Sequence, residues 1–249
     1  MIRGLYIAAT GMQTQQNRMD VVTNNLANAN TAGYKQDSLL TRTFQEELVS
    51  RLEDPAVVTQ RTAIGPLGLG IHIDEIHTSF GTGALRETSL ATDLALAGDG
   101  FFAVQTPAGE RYTRAGNFQV TADDTLATAE GYPVLGENGP VRVAGTSFSI
   151  SSDGRITSEA GSDQLRIVSF ADNQGLRKEG NNLYSNYSTE AVVSPGTQVR
   201  QGFLESSNVD LTTQVVDMIA IQRNFELNSK IIKMMDERLG RAVNDIGKL

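Results

Sequence analysis

The chain has 249 residues, 39% of them hydrophobic, with nine Phe, six Tyr and no Trp, so its core is aliphatic and modest. It has no cysteine and two histidines, which excludes disulfides and thiolate metal sites and leaves little material for imidazole catalysis. The net charge of −8, with no basic stripe to offset it, argues against nucleic acid as a partner.

Leu5, Ala8, Met12, Gln15, Met19, Val22, Leu26 and Ala29 recur at alternating spacings of three and four, which predicts an N-terminal helix with a heptad seam. The small residues Ala8, Ala9 and Gly11 would let another helix approach closely. The pattern stops at Asn28-Ala29-Asn30-Thr31-Ala32-Gly33, where Gly33 is a natural left-handed terminator. The first six residues lack the apolar run and small-residue site of a cleaved signal peptide, and no stretch reaches 18 uninterrupted apolar residues, so no membrane insertion is expected. Residues 36–75 read as a short helix over Phe44 to Leu52 and an extended stretch from Ala56 to Gly70.

Turn signals then recur at Asp99-Gly100, Asp123-Asp124, Glu137-Asn138-Gly139-Pro140, Ser152-Asp153-Gly154 and Asp172-Asn173-Gln174-Gly175. Strand-like runs lie between them: Phe101 to Val104, Val141 to Val143, Phe148 to Ile150 and Leu165 to Val168. Beyond them Leu211, Val215, Met218, Gln222, Phe225, Ser229, Ile232, Asp236, Leu239, Val243 and Ile246 repeat the heptad spacing at greater length. Ser207-Asn208-Val209-Asp210 supplies a capping box before this second helix.

The expected fold class is α+β: long N- and C-terminal helices pairing as a coiled coil, with a central, mostly antiparallel β domain. The expected divisions are an N-terminal assembly helix over 1–34, an extended connecting region over 35–75, a β domain over 76–200 and a C-terminal assembly helix over 201–249. Residues 1–34 carry a net charge of +1, residues 209–249 carry zero, and the middle carries −9. Near-neutral ends approach copies of themselves at little Coulomb cost, while the acidic middle confers solubility. Isolated helices are marginal in water, so the two ends are expected to be disordered or loosely helical in the free monomer.

The expected assembly interface comprises Leu5, Met12, Met19, Leu26, Leu211, Val215, Met218, Phe225, Ile232 and Leu239 on the seams, with Asn24, Asn25 and Asn28 fixing register through their amides. The plainer alternatives are an ordinary core stripe within one chain and a fraying helix end. No catalytic, cofactor or metal site emerges. Gly98-Asp99-Gly100 lacks the helix start and Lys of a phosphate loop, Asp123 and Asp124 read as a solvated turn, and His72 and His77 fall on opposite faces of a strand. Neither a Gly-x-Ser-x-Gly elbow nor a Cys nucleophile occurs, so an enzyme is the least favoured reading. A closed trimeric stalk carrying a β binding module is the rival to a filament.

Asn24-Asn25-Leu26-Ala27-Asn28-Ala29-Asn30-Thr31-Ala32-Gly33-Tyr34-Lys35 resembles the N-terminal signature of flagellar rod and hook proteins. The stretches 93–102 (DLALAGDGFF), 112–118 (YTRAGNF), 131–136 (GYPVLG) and 201–210 (QGFLESSNVD) follow in that family's order. The resemblance implies a structural subunit of the basal-body rod, exported through the flagellar type III apparatus without signal-peptide cleavage and localised to the flagellum. It implies copies of itself and neighbouring rod and hook proteins as partners, and an inner tube made of terminal helices. No additional outer domain is evident, which favours rod over hook and leaves proximal and distal positions both open.

Overall fold

The structure, a computed structural model, describes residues 2–44, 47–50, 63–143, 145, 148–159, 161–187, 192–193 and 196–247. Two units fold from interleaved stretches. Met1–Leu26, Asp37–His77 and Leu211–Leu249 form a helix unit, and Ala27–Gln36 with Thr78–Asp210 form a β unit.

The helix unit is built on α1 (Ile2–Ala27) and α2 (Leu211–Ile246). With 36 residues, α2 is about 54 Å long. The two helices touch at three levels. A Cβ added to Gly4 would lie 2.5 Å from the end of Met235, one added to Gly11 would lie 3.2 Å from the Asn228 amide, and Asn25 donates to the Gln214 carbonyl oxygen at 3.2 Å. From Gly4 to Gly11 to Asn25 the steps are seven and fourteen residues, and along α2 they are the same steps in reverse, so the helices run antiparallel.

Strand Asp37–Thr43 pairs with strand Ile71–Thr78, and the ribbon attaches to α1 through an Arg18–Thr41 hydrogen bond of 3.3 Å and a Tyr6–Phe44–His72 ring series. His77 is exposed. The short helix expected over Phe44 to Leu52 is a correction: Glu47–Ser50 is a strand, antiparallel to Ala63–Leu67. Glu, Leu and Val at 47–49 suit either state alone, and the partner strand decides. Of the expected extended stretch from Ala56 to Gly70, residues 56–62 lie outside the described residues and Ala63–Leu67 is a strand.

The β unit centres on a six-stranded antiparallel sheet in the order Leu176–Gly180, Leu183–Asn186, Gly109–Thr113, Phe101–Thr106, Ile167–Ser169, Val192–Val193. Alternation along Phe101–Thr106 sends Phe102 and Val104 into one core with Leu94, Phe118, Leu126 and Val141. Phe101 and Ala103 point into a second core with Tyr112, Phe170 and Tyr184. The expected turns are in place: Glu137 and Asn138 join strands Leu135–Gly136 and Gly139–Pro140, and residues 151–154 join Ser149–Ile150 to Arg155–Ser158. The molecule is thus α+β, with helices at both ends of the sequence and a mostly antiparallel β region between them.

Candidate functional site

Among the described residues, the helix unit exposes most of the chain's uncovered large hydrophobics. In α2 the covered positions are Gln214, Met218, Ile221, Asn228, Ser229, Ile232, Met235, Leu239 and Ala242; Ser229 apart, they follow steps of four and three with one gap at the exposed Phe225. The expected seam overlaps this set only in part: Met218, Ser229, Ile232 and Leu239 are in it, whereas Leu211, Val215, Phe225 and Val243 stand exposed. Val216, Ile219, Leu227, Ile231 and Met234 are exposed as well. On α1, Leu5, Met12, Met19 and Leu26 are half-buried, and Leu5, Met12 and Leu26 each follow a residue that meets α2 (Gly4, Gly11 and Asn25).

The asparagines divide. Asn24 is exposed, and Asn28 accepts from the Thr31 hydroxyl at 3.2 Å in the turn after α1. Asn25 is 1% exposed, and its amide is used within the chain: it donates to the Asp37 carbonyl at 2.8 Å and accepts from the Asp37 N–H at 3.0 Å, besides its bond to Gln214. One side chain therefore ties α1 both to α2 and to the first strand.

The β unit holds a second feature, which sequence reasoning missed. Glu205, 2% exposed, receives Lys35 Nζ at 2.6 Å, Arg114 Nε at 2.5 Å and the Gly83 N–H at 2.8 Å. Two cations face one carboxylate, and the surplus positive charge is met by carbonyl oxygens. Lys35 donates to Gly81 at 2.8 Å, and Arg114 donates to Leu96 at 3.1 Å, Gly98 at 2.6 Å and Gly100. The Gly98-Asp99-Gly100 turn is thus wrapped around a guanidinium. Burial alone would raise the Glu205 pKa, but the Arg114 charge and the Lys35 hydrogen bond outweigh it and hold the carboxyl below its ordinary value. Burial pushes the Lys35 ammonium below its ordinary value, against the pull of Glu205.

This ionic clasp fastens the segment that follows α1. Gly33 has φ +69, donates to the Glu205 carbonyl at 2.8 Å, and leaves no room for a Cβ, which would lie 2.4 Å from the Ala115 nitrogen. Lys178 sits 4.1 Å from the Tyr34 ring centroid and donates to the Lys35 carbonyl at 2.6 Å. Asn208 accepts from the Gln36 N–H at 2.8 Å and donates to Ser79 and Gly81, so it crosslinks loops rather than capping α2, which begins after Asp210. The available signal was the position of Lys35, Arg114 and Glu205, each a charge inside one of the signature stretches.

Among the described residues no group of three or more His, Asp or Glu is placed to hold a metal ion, and no helix is long and apolar enough to cross a membrane.

Three family profiles cover the parts just described. Residues 5–35 match the flagella basal body rod protein family, residues 95–158 the D1 domain of flagellar hook protein FlgE/F/G, and residues 200–245 the C-terminal region of flagellar basal body rod FlgEFG protein. The chain is 38% identical to flagellar basal-body rod protein FlgG of Bacillus subtilis (strain 168), covering 98% of this chain and 99% of that protein. It is 34% identical to flagellar hook-basal body complex protein FlhO of the same strain over the full length of both. It is also 34% identical to flagellar basal-body rod protein FlgG of Agrobacterium fabrum (strain C58 / ATCC 33970), covering 95% of this chain and 96% of that one. Clasp, terminal helices and full-length relatives agree: the chain belongs to the flagellar basal-body rod protein family and is a structural rod subunit.

Proposed function

We propose that the chain polymerises through α1 and α2 into the axial shaft between motor and hook, with the exposed face of α2 meeting neighbouring copies. The supporting observation is where uncovered apolar surface lies. Of sixteen large hydrophobics exposed among the described residues, all but Leu90 and Tyr187 belong to the helix unit. A β unit with its own two cores needs no partner, whereas the helix unit does. Burying Val216, Ile219, Leu227 and Met234 contributes about 1.5–3 kcal/mol each, enough together to offset a substantial part of the roughly 4–15 kcal/mol cost of association.

In this reading α1 and α2 form an antiparallel coiled coil, with Leu5, Met12, Met19, Leu26, Met218, Ile232 and Leu239 packing within and between copies. Leu211, Val215, Phe225 and Asn24 face outward to neighbours, and Asn25 and Asn28 set the local geometry from within. The subunit is exported through the flagellar type III apparatus, joins adjacent rod and hook proteins, and carries torque rather than catalysing a reaction. A heterologous contact that does not close gives an open helical filament. Sedimentation velocity of the full-length chain over a concentration series tests this: a ladder of growing species is expected, while a single small oligomer at all concentrations would favour the closed stalk.

A further inference from the structure

We infer that an exposed heptad line on α2 of one copy docks onto the Leu5–Leu26 line on α1 of the next copy. The inference deepens the polymerisation reading and rests on it, by naming the two faces that meet. On α2, steps of four and three lead from Val216 through Leu227 and Met234 to Arg241, and every residue on that line is exposed. Leu227 and Met234 immediately precede Asn228 and Met235, which meet α1, so the line lies about 100° round the helix from that contact. Val216, Leu227 and Met234, at 60%, 56% and 55%, are the most exposed large hydrophobics of α2 apart from Val243. A heptad line of this kind packs against another helix.

Charge decides which helix of a second copy receives it. The α2 line carries Arg223, Lys230 and Arg241 against Glu237, a net of +2, so two such lines laid face to face would repel. On α1, the same steps of four and three lead from Leu5 through Met12 and Met19 to Leu26. That line carries no charge, and the exposed Asp20 beside it supplies a counter-charge for a cation of α2. Its four long apolar side chains, seven residues apart, are only half-buried within the chain, so a partner helix of the same period can finish covering them. Because the two faces differ, each copy offers one of each and the contact propagates.

Two variants of the purified full-length chain separate the faces in sedimentation velocity. Gln16→Lys with Asp20→Lys sets like charge on the α1 line, and Leu227→Lys with Met234→Lys interrupts the α2 line. All four positions are exposed, so both variants should keep the circular dichroism and melting temperature of the parent. Each variant alone should stay monomeric at concentrations where the parent grows into larger species. Mixed in equal amounts, they should form a heterodimer and nothing larger, because one supplies an intact α1 line and the other an intact α2 line. Association of the α1 variant by itself means that α2 meets α2 and overturns the inference, as does a mixture that remains monomeric. A parent that is monomeric at every concentration overturns the polymerisation reading, and this inference with it.

Discussion

Lys35, Arg114 and Glu205 come from positions far apart in sequence, yet each sits within a stretch that resembles the rod and hook signature. Their meeting gives those stretches a common physical purpose: the segment after α1 is held in the β unit by a carboxylate from the strand that leads to α2. Removing one partner of such a buried set leaves uncompensated charge, so Glu205→Gln should destabilise the β unit by roughly 3–5 kcal/mol in urea unfolding followed by circular dichroism. Because the folded Glu205 carboxyl lies below its ordinary value, its contribution is complete above the unfolded value of 4.5 and disappears as pH falls through the folded one. Stability of the parent should therefore drop on acidification below about pH 4.5 more steeply than that of Glu205→Gln, as equilibrium unfolding at stepped pH would show. Gly33→Ala should cost at least about 1 kcal/mol for its left-handed backbone alone, with more from the encroachment on Ala115.

At the scale of elements, heptad spacing placed both helices correctly but resolved their faces only in part. An alternation of three and four fits two overlapping registers in α2, one through Leu211, Val215 and Met218 and one through Gln214, Met218 and Ile221. Both contain Met218, Phe225, Ile232 and Leu239. The intervening positions differ, and there the covered residues include Gln214 and Asn228, whose polarity hides them from a hydrophobic pattern. Asn25 and Gln214 were similarly illegible as a pair, because only the antiparallel fold brings them together. Residues 47–50 misled for a different reason: their strand exists through residues 63–67, a distant partner. The two faces of α2 predict opposite outcomes for one chemical change. Ile221→Asp places a charge in the covered seam and should lower the melting temperature of the helix unit. Leu227→Asp, at 56% exposure, should leave thermal unfolding of the monomer within about 0.5 kcal/mol of the parent.

At the scale of the whole molecule, α+β composition, terminal helices and the turn-rich β middle were evident from periodicity and turn chemistry. Less evident was that Ala27–Gln36 folds with the β unit while Asp37–His77 folds with the helices. Sequence order offered no sign of this interleaving, since it is created by the clasp at Lys35 and by the Asn25–Asp37 bonds on either side of Gln36. The arrangement leaves the free chain with a self-sufficient β unit and an apolar helical face, which suits a subunit that is completed by its neighbours. The most direct test is electron microscopy of basal bodies isolated from cells whose only copy of this chain carries Leu227→Asp. The account predicts basal bodies that lack the rod segment this chain forms, although the purified variant folds like the parent. Normal rods built from that variant would contradict the claim that the exposed face of α2 drives assembly.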